Sequence, residues 1–282
     1  MTLRRSLTLT VAAVTIWSAA PARAQQDGST TGKFEIDADG GETIQSDGEI
    51  QNEKGLVSGC FQSSDNGTLP PFWEKKSSNV YKGSSAYKVV MQSPAHYRNE
   101  QKPIQSWHRD DGERYFRFAL ANGDTMGNPS SHAILTQWWQ SGTSPPVALQ
   151  IYGDRHPRLV TKDDYGSATA ANFRYTTRWT DTGTVTNGTW HSYIVKIKWG
   201  AGNGELKLWK WVNGSWQLKY DSNTHTGMTA PNYIGYHDAG MDQTNYTWKI
   251  GGYRGHNDPA KYTMYFDEMR YAKTWDSVRV NE

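Results

Sequence analysis

The chain has 282 residues, among them 13 Trp, 16 Tyr, 7 Phe and 1 Cys, and its formal net charge is +2. A lone cysteine excludes an intramolecular disulfide, so stability must come from an apolar core, which a chain of this length can bury. So mild a charge leaves no electrostatic footprint for nucleic acid, and no segment is apolar for long enough to span a bilayer.

At the N-terminus, Arg4-Arg5, an apolar run from Leu7 to Ala20 and Ala22-Arg23-Ala24 have the three-part layout of a cleavable secretory signal over residues 1–24. The expected product is secreted, extracellular or periplasmic, with one domain over residues 25–282 because no linker composition interrupts them. Gln25 to Gly32 is polar and reads as a disordered lead-in. Phe34-Glu-Ile-Asp37 reads as a first strand, and residues 39 to 79 as long loops with short strands near Val57 and Phe72-Trp73.

From Ala86 onward the strand signal is continuous. Runs at Ala86 to Gln92, Ala95 to Gln101, Glu113 to Ala121, Ser131 to Gln140, Val147 to Tyr152, Trp190 to Trp199, Glu205 to Val212, Trp216 to Tyr220, Tyr246 to Tyr253 and Tyr262 to Tyr271 are bounded by Gly, Pro, Asn or Asp. Asn203-Gly204 and Asn213-Gly214 fall between such runs, where a type I′ hairpin needs two residues at positive φ. With no helical period of useful length and no internal repeat, about a dozen short strands predict an all-β, concanavalin-like jelly-roll sandwich of two antiparallel sheets. Sequons stand at Asn66, Asn187, Asn213 and Asn245.

Period-2 geometry then sorts the polar residues by face. In the strand around Pro94 to Gln101 it aligns His96, Arg98 and Glu100. In His132 to Gln140 it puts Gln137 with Trp139, and turns Thr136 and Trp138 the other way. In Asn245 to His256 it sends Lys249, Gly251 and Tyr253 to one side and Trp248, Ile250 and Gly252 to the other, with Arg254 beside Tyr253. Any one stripe is what a solvated sheet face also shows. Three of them fit one concave sheet lining a single groove, and flat rings with a polar edge stack well on sugars.

Arg98-Asn-Glu100, Gln137-Trp-Trp139 and Lys249-Ile-Gly-Gly-Tyr253 resemble the Arg-x-Glu, Gln-x-His and Lys-x-Gly-x-Tyr motifs of jelly-roll polysaccharide lyases. Gly188-Thr-Trp-His191, Trp209 to Gly214 followed by Trp216, and Lys249 to Arg254 before a final strand resemble the group containing glucuronan lyase and heparin lyase I. The likeness covers most of the chain from residue 86. Trp139 departs from it, standing where the alginate-lyase motif has His. The histidine must then come from elsewhere, with His96 the first candidate and His108, His132, His191 and His256 behind it. Strict alternation puts His132 on the face opposite Gln137, and His191 follows a Trp in a scaffold strand.

The resemblance implies β-elimination in a uronic acid polymer. The proton on C5 leaves, the oxygen on C4 is expelled, and donors must first offset the charge of the adjacent carboxylate. Gln137 and Arg98 suit the carboxylate. Tyr253 and His96 suit the proton transfers, Tyr253 as base only where cations such as Lys249 or Arg254 favour its phenolate. Lys249, Arg254, Glu100 and Trp139 are the expected substrate-binding residues. No cofactor is required, and the resemblance implies at most a structural Ca²⁺ held by a terminal-strand carboxylate, here Asp267. The expected partner is an acidic polysaccharide bound by a monomer, glucuronan first, with alginate and heparin-type chains as alternatives. A non-catalytic carbohydrate-binding jelly roll would not need the Tyr, His, Gln and Arg set. A glycoside hydrolase would need two carboxylates across the scissile bond, whereas Asp163-Asp164 and Asp267-Glu268 are adjacent and diverge on a strand.

Overall fold

The computed structural model describes residues 33–36, 38, 43–44, 50–51, 57–64, 73–91, 96–108, 111–123, 132–140, 145–162, 175–200, 203–224, 245–254 and 261–279. The expected signal over 1–24, the lead-in to Gly32, Asn66, Asp163-Asp164, His256 and the side chain of His96 lie outside the described residues.

In chain order the strands are β1 (Lys33–Ile36), β2 (Thr43–Ile44), β3 (Ile50–Gln51), β4 (Val57–Ser64), β5 (Trp73–Lys76), β6 (Ala86–Met91), β7 (His96–His108), β8 (Arg114–Asn122), β9 (Ala133–Gln140), β10 (Val147–Ile151), β11 (Arg158–Lys162), β12 (Tyr175–Thr180), β13 (Trp190–Lys198), β14 (Glu205–Val212), β15 (Ser215–Asp221), β16 (Asn245–Arg254) and β17 (Tyr262–Ala272), followed by one helical turn, α1 (Trp275–Val278). Among the described residues they form an eight-stranded sheet, β15-β14-β13-β8-β17-β6-β5 with β1 on β17, and a nine-stranded sheet, β12-β11-β10-β9-β16-β7-β4-β3-β2. The pairings are antiparallel. The chain changes sheet between β1 and β2, β4 and β5, β6 and β7, β7 and β8, β8 and β9, β12 and β13, β15 and β16, and β16 and β17, the back-and-forth crossing of a jelly roll.

Aromatic residues lock the layers together. Phe116 of β8 meets Trp138 of β9 and Trp248 of β16 edge-on, both with ring centroids 5.3 Å apart. Trp199 stacks on Tyr246 at 3.8 Å. Fully burying a side chain of this kind contributes about 1.5–3 kcal/mol, so this seam dominates the packing. The indole Nε1 of Trp248 donates to Thr136 Oγ1, which in turn donates to the Lys249 carbonyl, both at 2.9 Å. The polar edge of the ring is thus satisfied inside the core, and β16 is pinned to β9.

The expected strands form, and the departures have local causes. Asn213 (φ 51°) and Gly214 (φ 81°) make the predicted tight turn between β14 and β15. Asn203-Gly204 instead ends a longer connection, since Lys198 already pairs with Glu205. β7 continues past Pro103 to His108 because the register with β16 shifts between Trp248 and Ile250, and a bulge is where a strand tolerates proline. The short β2 and β3, and the pair β11 and β12, form where the sequence shows no strand run; β12 is an edge strand whose Thr176, Thr177 and Thr180 are all exposed, which erases the alternation. Among the described residues no helix is long and apolar enough to cross a membrane.

Candidate active site

β16 lies between β9 and β7 and carries the centre of the site. Trp248 and Ile250 point into the core, and Gly252 turns the same way, where a Cβ would stand 2.2 Å from Met91 Cε. Lys249 and Tyr253 therefore project from the outer face of the nine-stranded sheet. Gly251, between them, has φ +142°, and a Cβ there would lie 2.2 Å from the Asn99 carbonyl oxygen of β7. Only glycine fits.

The neighbouring strands supply the rest. On β7, Arg98 pairs with Tyr253 and Glu100 with Gly251. On β9, Gln137 pairs with Lys249 and Trp139 with Thr247. Glu100, only 1 % exposed, accepts from Arg98 Nε at 2.8 Å and from Gln137 Nε2 at 2.5 Å. The Arg98 guanidinium lies 4.2 Å from the centre of the Tyr253 ring, and the Lys249 ammonium 3.7 Å from that of Trp139. Burial pushes Lys249 down to about 8, with Arg98 and Lys102 pushing the same way and Glu100 opposing them.

Arg98, Glu100, Gln137, Trp139, Lys249 and Tyr253 thus share one face. Arg254 does not. Its guanidinium sits 4.9 Å from the centre of the core residue Tyr262, because a residue next to Tyr253 on a strand must take the opposite side. It cannot reach a substrate on the outer face. His96 opens β7, where its backbone pairs with Ser64. Gln137 also differs from expectation, since its amide donates to Glu100 while its buried Oε1 has no hydrogen-bond partner.

Asp267 is fully buried on β17, accepting backbone N–H groups from Lys82 at 3.2 Å and Glu268 at 2.8 Å. Lys82, Arg117 and Arg270 converge on the carboxylate of Glu268 beside it. Three cations around an acidic pair oppose a bound Ca²⁺ there, and among the described residues no three His, Cys, Asp or Glu are grouped to hold a metal.

Two features escaped sequence reasoning. Lys102 continues the stripe of Arg98 and Glu100, and would have been found had the strand been carried through Pro103. The other is a bulge in β9. Across from β10, Leu149 pairs with Thr136 but Gln150 with Ile134, so Leu135 is an extra residue. Ala133, Leu135 and Trp138 all face the core, while Ile134 packs with Ala148, Val160 and Tyr253 on the outer face. The bulge therefore returns His132 to the face of Gln137, contrary to strict alternation. The half-buried His132 ring lies 6.0 Å from that of Tyr152. His191, by contrast, belongs to a scaffold cluster in the other sheet, with Nδ1 3.5 Å from Asp181 and Nε2 3.1 Å from the Thr184 carbonyl.

Known proteins give the following comparisons. No curated protein sequence matches the chain. In structure it is similar to the PL-14 alginate lyase of Aplysia kurodai, at 11% identity and a TM-score of 0.49 over 72% of this chain and 87% of that one. It is similar to the alginate lyase of a Corynebacterium species, at 13% identity and a TM-score of 0.48 over 74% of this chain and 83% of that one. It is also similar to the catalytic domain of a glycoside hydrolase family 131 protein from Coprinopsis cinerea, at 15% identity and a TM-score of 0.46 over 82% and 90%. Residues 52–270 match the family model described as polysaccharide lyase. The chain belongs to the polysaccharide lyase family, enzymes that break a carbon–oxygen bond of a polysaccharide by β-elimination.

Proposed function

We propose that this lyase is secreted, acts from a single jelly-roll domain over residues 25–282 as a monomer, and cleaves a β-1,4-linked polyuronate, glucuronan first, within the chain. The observation that carries the reading is the outer face of β7, β16 and β9. There Arg98, Lys102 and Lys249 surround one buried carboxylate, Glu100, and Tyr253 lies beneath Arg98. A face with more cations than anions suits an anionic polymer, and half-buried Trp139 offers a ring beside Lys249.

On this reading Arg98 and Lys249 offset the charge that grows on the uronate carboxylate as the C5 proton leaves. Gln137 holds Glu100, and through it orients Arg98. Tyr253 exchanges a proton with the sugar.

The test is a panel of glucuronan, alginate and heparin, followed by the ultraviolet absorbance of the new C4–C5 double bond and by the size of the products. Unsaturated oligosaccharides of mixed length, most rapidly from glucuronan, are expected. Preference for alginate or heparin would move the substrate within the class. Monomeric product from the first turnover would rule out cleavage within the chain. Binding without product would favour a carbohydrate-binding role.

A further inference from the structure

Trp209, Trp211 and Trp216, singled out in the sequence, take no part in the site on β7, β16 and β9. They lie on the outer face of the other sheet. Trp209 of β14 pairs with Ile194 of β13, which is buried outside the main core against Ala272 and Val278. Trp211, two residues along, takes the same side, and across the hairpin Trp216 pairs with Trp211 and Leu218 with Trp209. Trp275 of α1 joins them. Ring centroids are 5.3 Å apart from Trp211 to Trp216, 6.3 Å from Trp216 to Trp275 and 4.6 Å from Trp275 to Trp209, with Tyr115 6.2 Å from Trp275.

This strip keeps contact with water. Trp73, Trp107, Trp138, Trp199 and Trp248 in the core are at most 4 % exposed, whereas Trp209, Trp211, Trp216 and Trp275 are only half-buried. Leu218, 50 % exposed, is the one exposed large apolar side chain among the described residues. Packing of Trp209, Trp216 and Trp275 against Ile194, Ala272 and Val278 accounts for the seating of α1. It leaves Trp211, outside that cluster, and Leu218 as apolar surface given to solvent.

We propose that this strip is a second, non-catalytic binding surface for polysaccharide, on the face of the sandwich opposite the active site, and that its ligand is the acidic polymer the enzyme cleaves. The identity of that polymer rests on the polyuronate reading above. Flat indoles with a polar edge stack on sugar rings while tolerating water. The buried Arg117 guanidinium lies 5.6 Å from the centre of the Trp216 ring and helps to hold it, so little freedom remains to be lost on binding. The charges suit an anion. Glu113 and Glu205 at the borders are held by Lys196 at 2.7 and 2.5 Å, and Asp221 by Lys207 at 3.1 Å. Lys273 and Arg279, on either side of α1, are exposed and outnumber Asp276 between them. A polymer held on this face is kept at high local concentration for the groove on the other.

The experiment measures retardation of wild type, Trp211→Ala, Leu218→Glu and Leu218→Lys in native gels cast with glucuronan, alginate or heparin, alongside turnover on the retarding polymer and on its short oligosaccharides. Trp211→Ala and Leu218→Glu should bind the polymer about tenfold or more weakly and show a higher KM on it, with turnover on short oligosaccharides, which fill only the groove, unchanged. Leu218→Lys should bind as wild type does, because the ligand is an anion. Equal binding by wild type and by folded Trp211→Ala and Leu218→Glu, with unsaturated product still formed, would overturn the surface and leave the polyuronate reading standing. Equal weakening in both Leu218 variants, with a dimer seen in wild type and lost in both, would overturn it by making the strip an interface between two copies. No retardation of wild type by any of the three polymers would also overturn it. Retardation that depends on Trp211, without unsaturated product from any polyuronate, would support the surface and overturn the polyuronate reading.

Discussion

Glu100 and Gln137 stand on strands that do not touch, yet the Gln137 amide donates to the Glu100 carboxylate across β16. Two strand spacings, about 9.5 Å, separate β7 from β9, and the two side chains span that distance because the β16 residue paired with Glu100 is Gly251. This bond makes one unit of residues from three strands.

Gly251→Ala should therefore damage fold and site together. The methyl group would meet the β7 backbone, and φ +142° is a conformation that alanine rarely adopts. A loss of about 2–4 kcal/mol is expected, seen as a lower Tm, together with reduced turnover in whatever fraction folds. A variant with wild-type Tm and activity would show that this strand is not held as described.

Lys249 gives the site an alkaline limit. Burial holds the ammonium near 8 rather than at its ordinary value, so above about pH 8 it loses its charge and with it the attraction for an anionic polymer. KM should climb above that pH, by at most about tenfold per unit for one ionisation. In Lys249→Arg the cation persists and the climb should vanish, whatever the cost at neutral pH. Measuring KM from pH 7 upward in both proteins decides it.

Away from the site, Asp181 ties the 181–189 segment to β13 and β14. Its carboxylate accepts from the Tyr193 hydroxyl at 2.6 Å, Lys210 Nζ at 2.8 Å and the Gly183 amide at 2.9 Å. Burial alone would push the carboxyl up, but His191, Lys210, Tyr193 and Gly183 together hold it well below the ordinary carboxylate range. A depressed carboxyl stabilises the fold above its unfolded value near pH 4, and that contribution is lost as pH falls further. Asp181→Asn should cost about 3 kcal/mol at pH 7, with the gap to wild type narrowing below about pH 4. Urea denaturation of both proteins at several pH values checks this, and a gap that is constant with pH would contradict it.

The apolar alternation of Trp248, Ile250 and Gly252 was enough to read the inner face of β16 from sequence, and the same periodicity placed Lys249 and Tyr253 opposite. It also sufficed for Arg98 with Glu100 and for Gln137 with Trp139. Two things were hidden. Leu135 and Thr136 look like any two residues of a regular strand, since a bulge is fixed by how the partners β10 and β16 pair rather than by the local sequence. Hence the face of His132 could not be had from alternation. Arg254 was misplaced for a simpler reason: proximity to Tyr253 in sequence means opposite faces in a strand.

Whether Tyr253 moves a proton in an elimination on a polyuronate is decided by Tyr253→Phe on glucuronan. The ring and its place against Ile134, Ala148 and Val160 remain, and only the hydroxyl is lost. Formation of unsaturated ends should fall by about 100-fold or more while the Kd for the polymer stays nearly unchanged. A folded Tyr253→Phe that keeps more than about a tenth of wild-type turnover would contradict the account.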